Sequence, residues 1–338
     1  AWEFLLLLIA AALLAGCSTP VAMGRWMNEH GEELLADLKP KRWRMPSTST
    51  LRRVLRRIDS AALEAAVGEY QRSLLGETGG AGVIATQDGE QLQAVAVDGK
   101  AVRGASAHGE QVFLVSMVCH ESGLVLDQMR TEVKKQERRT AQALLDRQPL
   151  KGTVITLDAL HTCPQQADQI WMGGGHYLMV VKGNRRSMHQ DLIETFAVLP
   201  PVGSWEEAFW EYEYDIVYYR GHGRHETVIL ESTPRLNGET LLPASSLVLR
   251  RTRIVVTPST GKQTVAVEYL ATSLNRSQVT LRQIEQLRRG HWTIENKTHY
   301  VRDVTFGEDR CQVRKGSAPQ ALAALRNAIV ALVRIEGW

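Results

Sequence analysis

Three acidic residues stand out by their settings. Asp98 closes the run Ala94-Val95-Ala96-Val97, Asp158 closes Val154-Ile155-Thr156-Leu157, and Glu295 lies inside the stretch HWTIEN at 291–296. Both aspartates end strongly apolar segments that read as buried strands, and in sheet-centred folds ligands gather at the carboxyl ends of such strands. A carboxylate there is costly unless it is paired, hydrogen-bonded or bound to a cation. Singly, each aspartate also reads as a turn former, since Asp-Gly after a strand is an ordinary turn signal. Together, two acids at neighbouring strand ends suit a shared divalent ion. Glu295 is a candidate third ligand. If 291–302 is helical, Trp292, Glu295, His299 and Arg302 share one side at spacings of three and four, with Trp292 and Ile294 anchoring the helix on a core. Oxygen ligands favour Mg²⁺ or Mn²⁺ over zinc. Two such ions about 4 Å apart can activate a water or a 3′-hydroxyl and stabilise the leaving oxygen at a phosphodiester. Asp303, Glu308 and Asp309 offer a rival acidic cluster for the third position, and His161, three after Asp158, either caps a turn or orients a water.

A polyanionic substrate needs cations, and these are clustered. Residues 41–57 hold seven basic side chains and no acid. From Leu51 the pattern is amphipathic: Leu51, Val54, Leu55 and Ile58 share one helical face, and Arg52, Arg53, Arg56 and Arg57 share the other. Such an arginine face suits a phosphate backbone, although a solvated surface has the same pattern. Lys100 and Arg103 follow Asp98 closely, and Lys182 and Asn184 end a strand; all four are candidates for phosphate contact. The net charge is only +3, so partners are read from these clusters and not from the total.

The elements that must position these residues are alternately helical and extended. Residues 1–40 read as helices, and GETGGAG (76–82) as a linker. Then come a strand at 92–100, a hairpin of 111–120 with 123–133, a helix at 136–148, a strand at 151–160, a helix at 164–172 and a strand at 176–184. This is a mixed α/β order with a central sheet. Residues 203–257 and 265–274 are aromatic, turn-punctuated antiparallel strands. A helix at 277–304 follows, with Ser277 as candidate cap and Gly290 as a possible break. The last helix, 317–335, opens with Ser and Pro and is apolar on most sides. Domain bounds follow at 1–85 (helical), 90–200 (first part of the core), 201–262 (β-rich) and 263–338 (second part of the core and C-terminal helices).

Several classes are disfavoured. No GxxxxGK[ST], HExxH or GxSxG motif is present. Cys17, Cys119, Cys163 and Cys311 form no CxxC pair, so neither a zinc site nor a disulfide framework is suggested, and a reducing cytoplasm fits. The apolar run ending at Cys17 resembles a lipoprotein signal. Glu3 ahead of it, with no Lys or Arg, argues instead for a buried helix, and the run is too short to span a bilayer. An exported lipoprotein stays as the minor alternative.

AVDGKAVRGA (96–105), ITLDALHT (155–162), YLMVVKGN (177–184), GHGRHET (221–227) and HWTIENKTHYVRDVTFGEDR (291–310) occur in this order. Together they resemble the H-repeat-associated transposases, insertion-sequence enzymes of the ISAs type within the DDE superfamily. The resemblance covers roughly residues 20 to 335, and the block 288–315 is the most specific. It implies an RNase H-like core, an all-β insertion before the glutamate and a helical N-terminal domain. It also implies Asp98, Asp158 and Glu295 as the catalytic, metal-binding acids. Related branches carry a Tyr-Arg-Glu-Lys signature around the glutamate. Here His291 stands at the Arg position and Arg302 at the Lys position, which leaves His291, Lys297, His299 and Arg302 as candidates for gripping a DNA end. The implied activity is cleavage at the element's terminal inverted repeats and joining to target DNA, by a homo-oligomer and away from any membrane. A relative with decayed catalysis that only binds DNA is the alternative.

Overall fold

The computed structural model describes residues 2–41, 44–77, 83–107, 110–131, 136–199, 211–235 and 242–337. Parts of the expected linker at 76–82 and of the aromatic segment from 203 lie outside these. The chain forms two compact units: 1–81, 98–144 and 293–338 make the first, and 82–97 with 145–292 the second.

The first unit opens with five helices: α1 (Trp2–Leu14), α2 (Pro20–Glu29), α3 (Gly31–Leu38), α4 (Thr48–Arg57) and α5 (Ser60–Glu77). Sequence chemistry sets their starts. Thr19 caps α2 ahead of Pro20, and Ser47 caps α4 by accepting from the Thr50 amide. Leu8, Ile9, Met23, Met27, Leu51 and Leu55 bury together against Ala321, Leu322 and Ile329 of the terminal helix Ala318–Ile335 (α10 below). The apolar run before Cys17 is thus a buried helix face. The same unit contains the later half of β2 (Gln91–Ala107), then β3 (Glu110–Cys119) and β4 (Val125–Thr131), in the order β4-β3-β2 with β3 and β4 antiparallel. The expected turn at 121–123 joins β3 to β4, with Gly123 at φ +66°. Helix α5 lies so close on β4 that a Cβ at Gly68 would collide with the Leu126 carbonyl oxygen. Gln71 Oε1 accepts from the Val125 amide at 2.6 Å.

Helix α6 (Glu137–Asp146) leads into the second unit, which also contains β1 (Val83–Ala85) and the earlier half of β2. Next come β5 (Thr153–Leu157), α7 (Pro164–Met172), β6 (His176–Val181), α8 (Arg186–Val198), β7 (Glu213–Gly221), β8 (Arg224–Thr233), β9 (Leu247–Thr257), β10 (Lys262–Thr272) and α9 (Leu281–Gly290). Strands β2, β5 and β6 are parallel, and β10, β9, β8 and β7 continue the sheet antiparallel from β6. The β7–β8 hairpin turns on His222 and Gly223, both at positive φ, which a two-residue loop between twisted strands requires. Leu92, Val154, Leu178, Val180, Leu249, Leu270 and Ile284 form the core of the second unit. Followed along β2, the connectivity β4-β3-β2 then β2-β5-β6 is that of an RNase H-like mixed α/β fold.

The helix expected at 277–304 differs in detail. Its cap is Thr280, in a reciprocal box with Gln283, while Ser277 bonds Asn275 instead. Regular α-geometry ends at Gly290. Beyond it, Ile294–His299 and Val301–Thr305 are wound as π-helix, with the Tyr300 amide donating to the Glu295 carbonyl and the Phe306 amide to that of Val301. The helix Ala318–Ile335 is long and apolar enough to cross a membrane, but most of it is buried in the first unit.

Candidate active site

Within the first unit, Asp98 and Glu295 line one cleft of about 540 Å³, together with Lys100, Arg103, Asn296, His299, Tyr300, Asp303 and Asp309. Nearby, β2 passes so close to the segment after Glu308 that a Cβ at Gly104 would collide with the Cys311 carbonyl oxygen. Glu295 is exposed and Asp98 half-buried.

The π-winding moves side chains off the expected face, because each turn takes more residues than an α-turn. Trp292 is 53% exposed, whereas His299 is 8% and Arg302 0% exposed. The four residues therefore share no common face, and of the two expected anchors only Ile294 is buried.

Arg302, expected to contact DNA, is buried and engaged within the fold. Its guanidinium donates to Glu308, at 2.7 Å for the shortest bond, and to Gln128 Oε1 at 2.9 Å. Arg326 also donates to Glu308, at 3.0 Å. Burial alone would push the Glu308 carboxyl up, but the two guanidiniums outweigh it and hold it below the ordinary carboxylate range. Glu308 is thereby removed from the rival acidic cluster. Lys100 is likewise turned inward, with Nζ on Asp303 at 2.6 and 2.7 Å. Burial raises the Asp303 carboxyl, and Lys100 opposes that rise. Arg103 stays exposed; its amide donates to Asp309 Oδ1 at 3.2 Å. Lys297 is exposed and bonds the Glu121 carbonyl.

In the second unit, Val97 and Leu157 are partners in the parallel register of β2 and β5. Asp98 is the next residue after Val97, and Asp158 the next after Leu157. Asp158 Oδ1 accepts from the amides of Leu160 (3.0 Å) and His161 (3.2 Å), which fixes the turn that follows the strand. A carboxylate oxygen of Asp158 and a ring nitrogen of His161 lie within 4.8 Å of each other, a spacing at which one cation can take both.

His291 belongs to this same neighbourhood. Its Nδ1 bonds Thr156 Oγ1 at 3.0 Å. Burial, then Arg288, push its pKa down to about 4, with Asp158 opposing. The imidazole is thus held neutral and bonded to β5. Asn184 is also otherwise engaged: its Nδ2 donates to the Ala159 carbonyl at 2.5 Å, bracing the turn after Asp158. Arg185 and Thr162 complete the brace, Arg185 Nε donating to the Thr162 carbonyl at 2.8 Å. Thr156 lies within the ITLDALHT block, but the sequence alone assigns no role to it or to Arg185. Lys182 remains exposed at the end of β6, and Arg52, Arg53, Arg56 and Arg57 remain exposed on α4.

A family profile described as "Transposase DDE domain" matches residues 89–332, and one described as "DDE_Tnp_1-associated" matches 1–71. The chain is 28% identical over 305 residues to "Putative transposase YncI" of Escherichia coli O157:H7, covering 86% of this chain and 71% of that one. It is 26% identical over 250 residues to "H repeat-associated putative transposase YhhI" of Escherichia coli K12, covering 70% of this chain and 62% of that protein. A piggyBac transposase synaptic complex with hairpin DNA aligns over 89% of this chain and 68% of its own, at TM-score 0.36 and 11% identity, a weak likeness from which no property of this chain follows. With more than half of its length matched by the first profile, the chain belongs to the family of DDE-domain transposases.

Proposed function

We propose that the protein cleaves phosphodiesters at the ends of an insertion sequence and joins the freed 3′-hydroxyls to target DNA, using a divalent cation held by Asp98, Asp158 and Glu295. The observation that carries this reading is the shared cleft of Asp98 and Glu295. Support for Asp158 comes from its place one residue beyond the Val97–Leu157 register pair.

The donor set fits a hard cation: the three side chains offer only carboxylate oxygens, which suits Mg²⁺ or Mn²⁺. When bound, such ions activate the attacking oxygen and stabilise the leaving one. The rest falls to the protein's own groups. The Asx turn at Asp158 holds that carboxylate's orientation, and Asn184 and Arg185 keep the turn in place. Lys100 neutralises Asp303, so that acid does not compete for the cation. Exposed Arg52, Arg53, Arg56, Arg57, Arg103, Lys182 and Lys297 supply positive charge for the DNA backbone. Direct in-line displacement needs no covalent protein–DNA intermediate, and joining two element ends calls for at least two copies of the chain.

The test is a cleavage assay on linear DNA bearing the element's terminal repeats. Wild type should cut in Mg²⁺ and stop in EDTA. Asp98→Asn, Asp158→Asn and Glu295→Gln should each lose more than about a hundredfold, since even partners of metal ligands are worth roughly 10–100-fold. Glu295→Gln cutting as fast as wild type would remove it from the site and reopen the position for Asp309. Wild type that binds the ends without cutting under any divalent metal would mark a decayed relative.

A further inference from the structure

A second cleft in the first unit, of about 560 Å³, has none of the acids of the first. Its walls come from three places along the chain: Thr19–Val21 at the start of α2, Arg52, Leu55 and Arg56 on α4, and Gln312–Lys315 ahead of α10. Four of its side chains are cationic, namely Arg52, Arg56, Arg314 and Lys315, and all four are exposed. Among the described residues, none of them is ion-paired with a carboxylate. Elsewhere in this unit the basic groups deep in the fold, Lys100, Arg302 and Arg326, each have a carboxylate partner.

The cleft is also built rather than incidental. The 311–317 segment is held against α2 and α4 by specific backbone contacts. Cys311 Sγ donates to the Ser18 carbonyl at 3.0 Å. Gly316 sits at φ +63°, where a Cβ would meet the Arg56 carbonyl oxygen at 2.6 Å. Arg314 Nε donates to the Gly104 carbonyl at 3.3 Å, which fixes the guanidinium while leaving its NH1 and NH2 groups for another acceptor. Thr19 already caps Ala22, so the helix end adds only its positive dipole to the four charges.

We propose that this cleft binds the sugar–phosphate backbone of duplex DNA, with Arg52 and Arg56 on one wall and Arg314 and Lys315 on the other. Four cations lining one cleft, without a carboxylate partner among the described residues, repel one another until an anion enters, and a polyanion answers all four at once. The guanidiniums of Arg52, Arg56 and Arg314 each offer the fork of donors that matches phosphate oxygens. Arg314 and Lys315 thereby join the arginine face of α4 in one binding surface, distinct from the carboxylate cleft. The inference rests on the transposase reading for the identity of the polymer, but not on its chemistry.

The test is therefore binding without cleavage. The full chain is titrated with a fluorescent 30-base-pair duplex in EDTA, by anisotropy, across a salt series. Each phosphate that is no longer neutralised lowers the slope of log affinity against log salt by about 0.9. Arg314→Ala with Lys315→Ala should flatten the slope by about 1.8, and adding Arg52→Ala and Arg56→Ala should roughly double that change. Arg314→Lys with Lys315→Arg should restore most of it, with thermal unfolding followed in parallel to confirm that each variant folds. An unchanged slope in the folded double variant overturns the proposal. So does inorganic phosphate displacing the duplex at matched ionic strength, which would make the cleft a small-anion site. If wild type fails to cleave under every divalent metal, the catalytic reading falls while this slope still decides the cleft.

Discussion

His291 illustrates how much a single position can change between motif and molecule. At the position where an arginine is expected by resemblance to related branches, this chain has an imidazole bonded to Thr156 and pushed down to about 4. The folded value lies below the unfolded 6.5, so the unfolded chain binds the extra proton first. Stability from this group is full above about pH 6.5 and is lost as pH falls towards 4, by at most roughly 3 kcal/mol. Chemical denaturation of wild type and His291→Gln at pH 7 and pH 4.5 checks this: the variant should lose less on acidification. Equal losses would mean that His291 is not the titrating group. At this scale the acids were the legible part of the proposed site. Asp98, Asp158 and Glu295 announce themselves because a charge ending a buried strand, or standing among Trp and Ile, needs a reason. The fate of Arg302 was not legible, because it depends on Glu308 six residues on and on Gln128 from β4, and no local period links them.

The π-helical stretch carrying Glu295 is held by that same buried set. Glu308 is 0% exposed and takes both Arg302 and Arg326. Removing its charge leaves two guanidiniums buried without a counter-ion, so Glu308→Gln should cost about 3–5 kcal/mol, measured by urea unfolding. The pH dependence follows from the depressed carboxyl: its contribution is present above the unfolded value near 4.5 and disappears as pH falls through the folded one. A milder change at the neighbouring helix, Thr280→Ala, should cost about 1 kcal/mol through loss of the capping box at α9. Elements with strong start signals were readable: Pro164 opens α7, and Ser317-Ala318-Pro319 opens the terminal helix. Helix α8 carries no such mark. It follows Arg185 directly, with no side-chain cap, and its sequence expectation stopped at the strand before it.

At the scale of the whole chain, the division into two units was hidden because β2 runs through it. The strand spans Gln91–Ala107, and its residues pass from one unit to the other between Val97 and Asp98, at the proposed metal ligand itself. Sequence patterning sees only one apolar segment with a turn-like Asp-Gly. The first unit is moreover assembled from three stretches, the last being 293–338. A chain ending at Gly290 should therefore lose more helical circular dichroism than the deleted residues account for, because α1, α2 and α4 would lose the apolar face of α10 that they bury. Undiminished signal from residues 1–77 would show that those helices stand alone. The same arrangement has a consequence for biosynthesis. Glu295 follows both aspartates in the chain, so a polypeptide interrupted between Asp158 and Glu295 carries the two aspartates without the third proposed ligand. Synthesis must pass Glu295 before the three proposed metal ligands can meet on one polypeptide.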